Sequence, residues 1–236
     1  MSDFCESCQI HIPMNIQGLQ KLTLLDYPGK VAATVFMGSC NLRCPWCHNK
    51  LLVDGPLQEP ISQQAVLDFL HNRKILLDGV CISGGEPTLQ TELPEFLEQI
   101  KSLDLSVKLD TNGTNPDMLK QLVSDGLVDY VAMDIKNSQS RYAETCGLPI
   151  MDVSPIQESA AFLLSEPVDY EFRTTLIQEF HNADALLDIS TWIAGAKRYF
   201  LQQYSGDDYH AFAKPQMDTL ADVVRPRVPS VQVRGC

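Results

Sequence analysis

Three cysteines in one short stretch, "GSCNLRCPWCHN", carry the most suggestive chemistry in the chain: Cys40, Cys44 and Cys47. The spacing is Cys-x3-Cys-x2-Cys. Three thiolates on one tight loop can each hold one iron of a cubane [4Fe–4S] cluster, and the fourth iron then lacks a protein ligand. An iron with an open position can bind a substrate or a cofactor. Zinc is the rival reading, because His48 follows Cys47 and a Cys3His set can be written. Ligands adjacent in sequence rarely both reach one ion, and zinc motifs usually take two ligands from one knuckle and two from elsewhere. Core packing explains the triplet poorly, since Gly38 and Pro45 mark the stretch as a loop.

The elements around this loop must position it. Residues 31–38, 79–83, 106–110, 127–135, 168–177 and 198–204 read as buried strands, rich in β-branched and aromatic residues and bounded by turn residues. Helical patterns fall between them. Leu93, Phe96, Leu97 and Ile100 have the spacing of one helix face. Asn115 and Ser154, each followed by proline, read as N-caps, and Gly126 closes the first of these two helices. Segments 62–77 and 182–195 are weaker helix patterns. Six strand–helix alternations predict an α/β fold with a parallel sheet and helical crossovers. A closed eightfold barrel typically takes about 250 residues, so six units predict an open partial (β/α)6 barrel.

In parallel α/β folds the chemistry gathers at the C-terminal strand ends. The cysteine loop follows the first strand. Gly84, Gly85 and Glu86 of "ISGGEPTL" follow the second, and Asp110 and Asn112 of "LDTNGT" follow the third. Asp134 and Lys136 of "MDIK" end the fourth, and Arg173 lies in the fifth, in "EFRTT". Turn chemistry alone explains a Gly-Gly or Asn-Gly pair. Asp134 and Lys136 point to the same face of a strand and read equally as a surface ion pair.

The loop, with Trp46 as its aromatic, matches the Cys-x3-Cys-x-aromatic-Cys signature of the radical S-adenosylmethionine (SAM) superfamily. The stretch "LLDYPGKVAATVFMGSCNLRCPWCHN" more specifically resembles activating enzymes of glycyl radical enzymes, above all those of anaerobic ribonucleoside-triphosphate reductases. The resemblance implies a radical SAM-type barrel with one [4Fe–4S] cluster on Cys40, Cys44 and Cys47. It implies SAM contacts from Trp46, Cys47, His48, Gly84, Gly85, Glu86, Asn112, Lys136 and Arg173, and a monovalent cation at Asp110 and Asp134. A relative's histidine after the sixth strand has no clear counterpart here, where "YFLQQYSGDDYH" offers glutamines first and His210 only later. Reductive cleavage of SAM would give a 5′-deoxyadenosyl radical that removes hydrogen from a glycine Cα of a partner enzyme. The implied partners are the glycyl radical subunit of the reductase and, as electron donor, reduced flavodoxin or ferredoxin. Only 36 residues separate Cys47 from Gly84, too few for the ferredoxin-like insertion of some other activases.

Length and composition fit this. The 236 residues are 44% hydrophobic and 20% charged, the balance of one globular α/β unit. A net charge of −12 argues against nucleic acid or anionic lipid as a broad partner. No long apolar run predicts a membrane span and no leader pattern opens the chain, so a cytoplasmic protein is expected. The expected organisation is an N-terminal extension (1–15) with Cys5 and Cys8, a core over 16–205, and a C-terminal extension (206–236) ending in Cys236. The terminal cysteines read as tolerated thiols rather than a second site, and Cys81 as a core residue. The locally basic "RPRVPSVQVRGC" reads as a partner-docking segment or a closing edge strand. Three functions stay in contention: a glycyl radical activase of the reductase or the pyruvate formate-lyase type, a radical SAM enzyme acting on a small molecule, and a zinc-stabilised binding module.

Overall fold

The computed structural model describes residues 14–53 and 59–235, so Cys5, Cys8 and Cys236 lie outside the described residues. One sheet runs through the molecule in the order β1 to β8. Its strands are β1 (Ile16–Thr23), β2 (Ala32–Met37), β3 (Gly79–Gly84), β4 (Ser106–Thr111), β5 (Tyr130–Asp134), β6 (Asp169–Leu176), β7 (Tyr199–Gln203) and β8 (Val231–Arg234). β1 is antiparallel to β2, and every later neighbour pair is parallel. β1 and β8 are the two edges, so the barrel is open. The six expected strands are β2 to β7.

The helices are α1 (Lys50–Val53), α2 (Gln63–Arg73), α3 (Leu93–Lys101), α4 (Pro116–Ser124), α5 (Tyr142–Thr145), α6 (Ser154–Leu164), α7 (Ala183–Trp192) and α8 (Lys214–Val224). Asn115 caps α4 as expected, its side chain accepting from the Met118 N–H at 3.3 Å. The expectation for α6 is corrected. Ser154 is its first helical residue, and Asp152 instead accepts the Ser154 N–H at 3.0 Å. The carboxylate two residues upstream takes the role that the hydroxyl would have filled. Residues 206–235, expected as an extension, supply α8 and the strand β8, which joins the sheet beside β7. No helix among the described residues is long and apolar enough to cross a membrane.

Strand alternation sorts the chemistry. On β3, β4 and β5 the outward residues Val80, Ile82, Val107, Leu109, Val131 and Met133 are fully buried in the main core, against Leu93, Phe96, Leu97 and Ile100 of α3. Truncating such a buried Phe to Ala typically costs about 3–5 kcal/mol, so these contacts fix the strands firmly. The intervening positions Cys81, Ser83, Lys108, Asp110, Ala132 and Asp134 face the barrel interior, as do Glu171, Arg173 and Thr175 of β6. The outer face is apolar and the inner face polar, which puts charged groups at the mouth of the barrel.

Candidate active site

A cavity of about 220 Å³ opens at the C-terminal ends of β2 to β7. Its lining includes Cys40, Cys44, Trp46, Cys47, His48, Gly84, Gly85, Asp110, Asn112, Asp134, Lys136 and Arg173. Twelve of the thirteen expected site residues thus meet in one place, though they come from five separate segments.

The cysteine loop is locked onto its neighbours by backbone contacts. Ser39 takes a left-handed conformation (φ 70°), and its carbonyl accepts the Glu86 N–H at 2.9 Å. Gly85 passes so close that an added Cβ would run into this same carbonyl, and Gly84, at φ +111°, lies against the Met37 backbone. The glycine pair is thus required by close packing of the cysteine loop on β3. Asn49 adds a bond from its Nδ2 to the Gly84 carbonyl at 2.7 Å. From the other side, the Arg43 N–H donates to the Cys146 carbonyl at 2.9 Å and the Trp46 indole N–H to that of Thr145 at 3.2 Å.

Burial pushes the Cys40 thiol up to about 11. Cys44 moves the other way, because the Cys146 thiol donates a hydrogen bond to it. Among the described residues no three His, Cys, Asp or Glu side chains converge as ligands of one metal ion would. The His48 ring is held in a stack on Tyr204, at 5.4 Å between ring centroids and 12° between planes. A Cys3His zinc set is therefore not assembled. Three soft thiol donors on one loop at a cavity mouth suit a cubane, whose corner irons each take one thiolate.

Glu86 is the expected contact that the fold does not bring to the cavity. It is fully buried. Oε1 accepts from the Thr88 N–H at 3.1 Å, the Thr88 hydroxyl at 2.6 Å and the Thr111 hydroxyl at 2.8 Å, and Oε2 from the Asn112 N–H at 2.6 Å. Burial raises its carboxyl, and these donors offset the rise only in part. Its visible work is to join the turns after β3 and β4. Asn112 itself reaches the cavity, donating from Nδ2 to Asn41 at 3.0 Å.

The remaining polar residues form one charged network. Arg173 stands directly across from Asp134 in the β5–β6 register, and its Nε donates to Asp134 Oδ1 at 2.9 Å while Nη1 lies 3.4 Å from Asp110 Oδ2. Lys136 Nζ donates to Asp134 Oδ2 at 2.8 Å and lies 5.2 Å from the centre of the Trp46 ring. Burial alone would raise the Asp134 carboxyl, but Arg173 and Lys136 outweigh it and hold it well below the usual carboxylate range. Lys108 was not anticipated. It is 2% exposed and donates to Asp110 Oδ1. Its placement two residues before Asp110 on a strand was the available signal. Gln202 also lines the cavity, whereas His210 is paired outside it with Glu179 at 2.6 Å.

An open parallel barrel with a three-thiol loop at its mouth defines an iron–sulfur enzyme of the kind that binds a small cofactor at a cluster. The chain belongs to the radical SAM superfamily, whose family model matches residues 34–176, and within it to the glycyl-radical enzyme activating enzymes. Its cofactors are a [4Fe–4S] cluster and SAM. A protein of Methanocaldococcus jannaschii named as a candidate glycyl-radical enzyme activating enzyme is 32% identical over 201 residues, 82% of this chain and 81% of that one. A 7-carboxy-7-deazaguanine synthase of Thermoplasma acidophilum is 22% identical over 192 residues, 81% of this chain and 88% of that one. Among solved structures, SuiB of Streptococcus suis bound to SAM shares the fold at a TM-score of 0.65, with 15% identity, over 84% of this chain and 48% of that one.

Proposed function

We propose that this protein is the activase of an anaerobic ribonucleoside-triphosphate reductase and installs a radical on one glycine of that partner. The observation that carries the reading is the meeting of Cys40, Cys44 and Cys47 with the Gly84–Gly85 backbone and a cationic network at one cavity. Cys40, Cys44 and Cys47 hold the cluster. The Gly84 and Gly85 backbone and Asn112 receive the methionine end of SAM, with Lys136 and Arg173 directed at its carboxylate. Trp46 and His48 border the adenine. Glu86 positions Asn112 and the Gly85 turn instead of touching the cofactor. When loaded, the site supplies one-electron cleavage of the sulfonium and removal of a hydrogen atom from a glycine Cα. The chain's own residues orient SAM and exclude water, and no side-chain acid or base is required. Reduced flavodoxin or ferredoxin serves as electron donor, and the reaction takes place in the cytoplasm.

The test incubates the reconstituted, reduced protein with SAM and the anaerobic reductase under strict anaerobiosis. A glycyl radical signal in electron paramagnetic resonance is expected. Release of 5′-deoxyadenosine without that signal would move the assignment to a second reading, a small-molecule reaction like that named for the Thermoplasma relative.

A further inference from the structure

The monovalent cation implied for Asp110 and Asp134 does not fit the residues present. Every carboxylate oxygen of the pair is already engaged. Asp110 Oδ1 accepts from Lys108 Nζ, and Oδ2 accepts from Ser83 Oγ at 3.0 Å and faces Arg173 Nη1 at 3.4 Å. Asp134 Oδ1 accepts from Arg173 Nε at 2.9 Å and Oδ2 from Lys136 Nζ at 2.8 Å. Three cationic side chains face two carboxylates, so within this network neither carboxylate has negative charge to spare for a further cation. Glu171, the next carboxylate along the inner face of β6, does not restore the balance. It is held by Arg234 at 3.0 and 3.2 Å and by the Tyr130 hydroxyl at 2.8 Å.

Lys108 is the residue that tips this balance. It lies opposite Cys81 in the β3–β4 register, and its Nζ is 3.8 Å from the Cys81 sulfur. A buried ammonium survives only beside an opposite charge, and Asp110 is that charge. Arg173 then leans toward Asp134, its nearer partner, and is shared with Asp110.

We propose that Lys108 is a built-in counter-ion to Asp110 that takes the place of a free monovalent cation, so that SAM binding here needs no alkali cation. Arg173 and Lys136 then keep one net positive charge for the carboxylate of SAM. The proposal rests on the reading of this cavity as the SAM site, and its test has an arm that does not.

The reconstituted protein is compared anaerobically in sodium, potassium and tetramethylammonium chloride at one ionic strength, so that screening is constant. Two quantities are read: the Kd for SAM and the urea midpoint without SAM. For the wild type both should agree among the three salts, the Kd within about twofold. Lys108→Met should weaken SAM binding about tenfold or more in tetramethylammonium. Sodium or potassium should restore much of that loss and raise the variant's urea midpoint. A wild-type Kd or midpoint that depends on sodium or potassium overturns the proposal. So does a Lys108→Met protein as indifferent to the salts as the wild type. Should Lys108→Met fail to fold, the wild-type series decides alone. Absence of SAM binding in every salt would defeat the site reading, while the urea midpoints still judge the counter-ion.

Discussion

Glu86 Oε2 accepts the backbone N–H of Asn112 at 2.6 Å, tying the turn after β3 to the turn after β4 across 26 residues of chain. With the three bonds to Oε1, this carboxylate satisfies four donors that have no water to turn to. Glu86→Gln keeps an acceptor for the threonines but turns an NH2 toward the Asn112 N–H. An unsatisfied buried donor costs about 1–3 kcal/mol. Anaerobic urea unfolding should show a loss of that size, and Glu86→Ala a larger one. SAM affinity should fall alongside stability, because Asn112 is displaced. An unchanged urea midpoint in Glu86→Gln would show that the carboxylate does not hold the turns.

Gly85 makes a sharper test of how the cysteine loop is seated. Any side chain there meets the Ser39 carbonyl, so Gly85→Ala must push the loop off β3. Overpacking typically costs about 1–3 kcal/mol and occasionally more, and because the obstacle here is backbone the loop itself must move. The loop geometry should fail first. The expected result is native-like far-ultraviolet circular dichroism with a clear loss of reconstituted iron and of brown colour. Full iron content with normal SAM cleavage would contradict the packing described.

Much of this arrangement was readable from the chain, and the gaps have physical causes. The parallel strands are short apolar runs between turn residues, and the residues following them are the ones that line the cavity. β1 escaped because "IQGLQKLT" is an edge strand with mostly polar side chains and a glycine. That glycine, Gly18, sits against Phe36. α8 was passed over within the expected C-terminal extension, although Met217, Leu220, Ala221 and Val224 share one helix face and are all buried. β8 was foreseen only as one of two options. Lys108 was missed because a lysine in an alternating strand usually marks the wet face, whereas an open barrel has a polar inner face. Glu86 was assigned a ligand contact by resemblance, and only the folded turns reveal four internal partners. Tertiary register decides such points, and spacing does not.

Tyr204 supports two cavity residues, His48 and Trp46, without lining the cavity itself, and has no motif of its own. It stacks under His48 and meets Tyr209 edge-on at 6.2 Å and 77°. It also shares a small apolar cluster with Trp46 and Ile177. Such aromatic pairs are worth about 0.5–1.5 kcal/mol beyond buried area. Tyr204→Leu keeps apolar bulk but removes the stack, so His48 should lose its fixed orientation. If His48 borders the adenine, SAM binding should weaken about threefold to tenfold with iron content unchanged. Titration calorimetry on the reconstituted protein reads the first quantity and iron analysis the second. A loss of iron instead would place Tyr204 in support of the cluster loop.

His181 gives the fold a pH dependence of predictable sign. It is 2% exposed, with Nε2 at 2.9 Å from the Lys136 carbonyl and Nδ1 at 3.2 Å from the Ile177 N–H. These partners suit the neutral ring, with Nε2–H donating to Lys136 and Nδ1 accepting from Ile177. Burial lowers its pKa, and the Lys136 carbonyl and the Ile177 carbonyl, the latter 3.2 Å from Nδ1, offset this only in part. The folded pKa therefore lies below the unfolded value of about 6.5. Above that value both states are neutral, and the full stability is present. As pH falls below it, the unfolded chain takes up a proton that the folded chain refuses, and stability is lost until the folded pKa is reached. The loss approaches about 1.4 kcal/mol per pH unit for one proton. His181→Gln retains a donor for the Lys136 carbonyl and cannot titrate. Urea unfolding between pH 5 and pH 7.5 should therefore show a wild-type-minus-variant stability difference that declines on acidification below about 6.5 and is flat above. A flat difference throughout would mean that His181 titrates alike in both states.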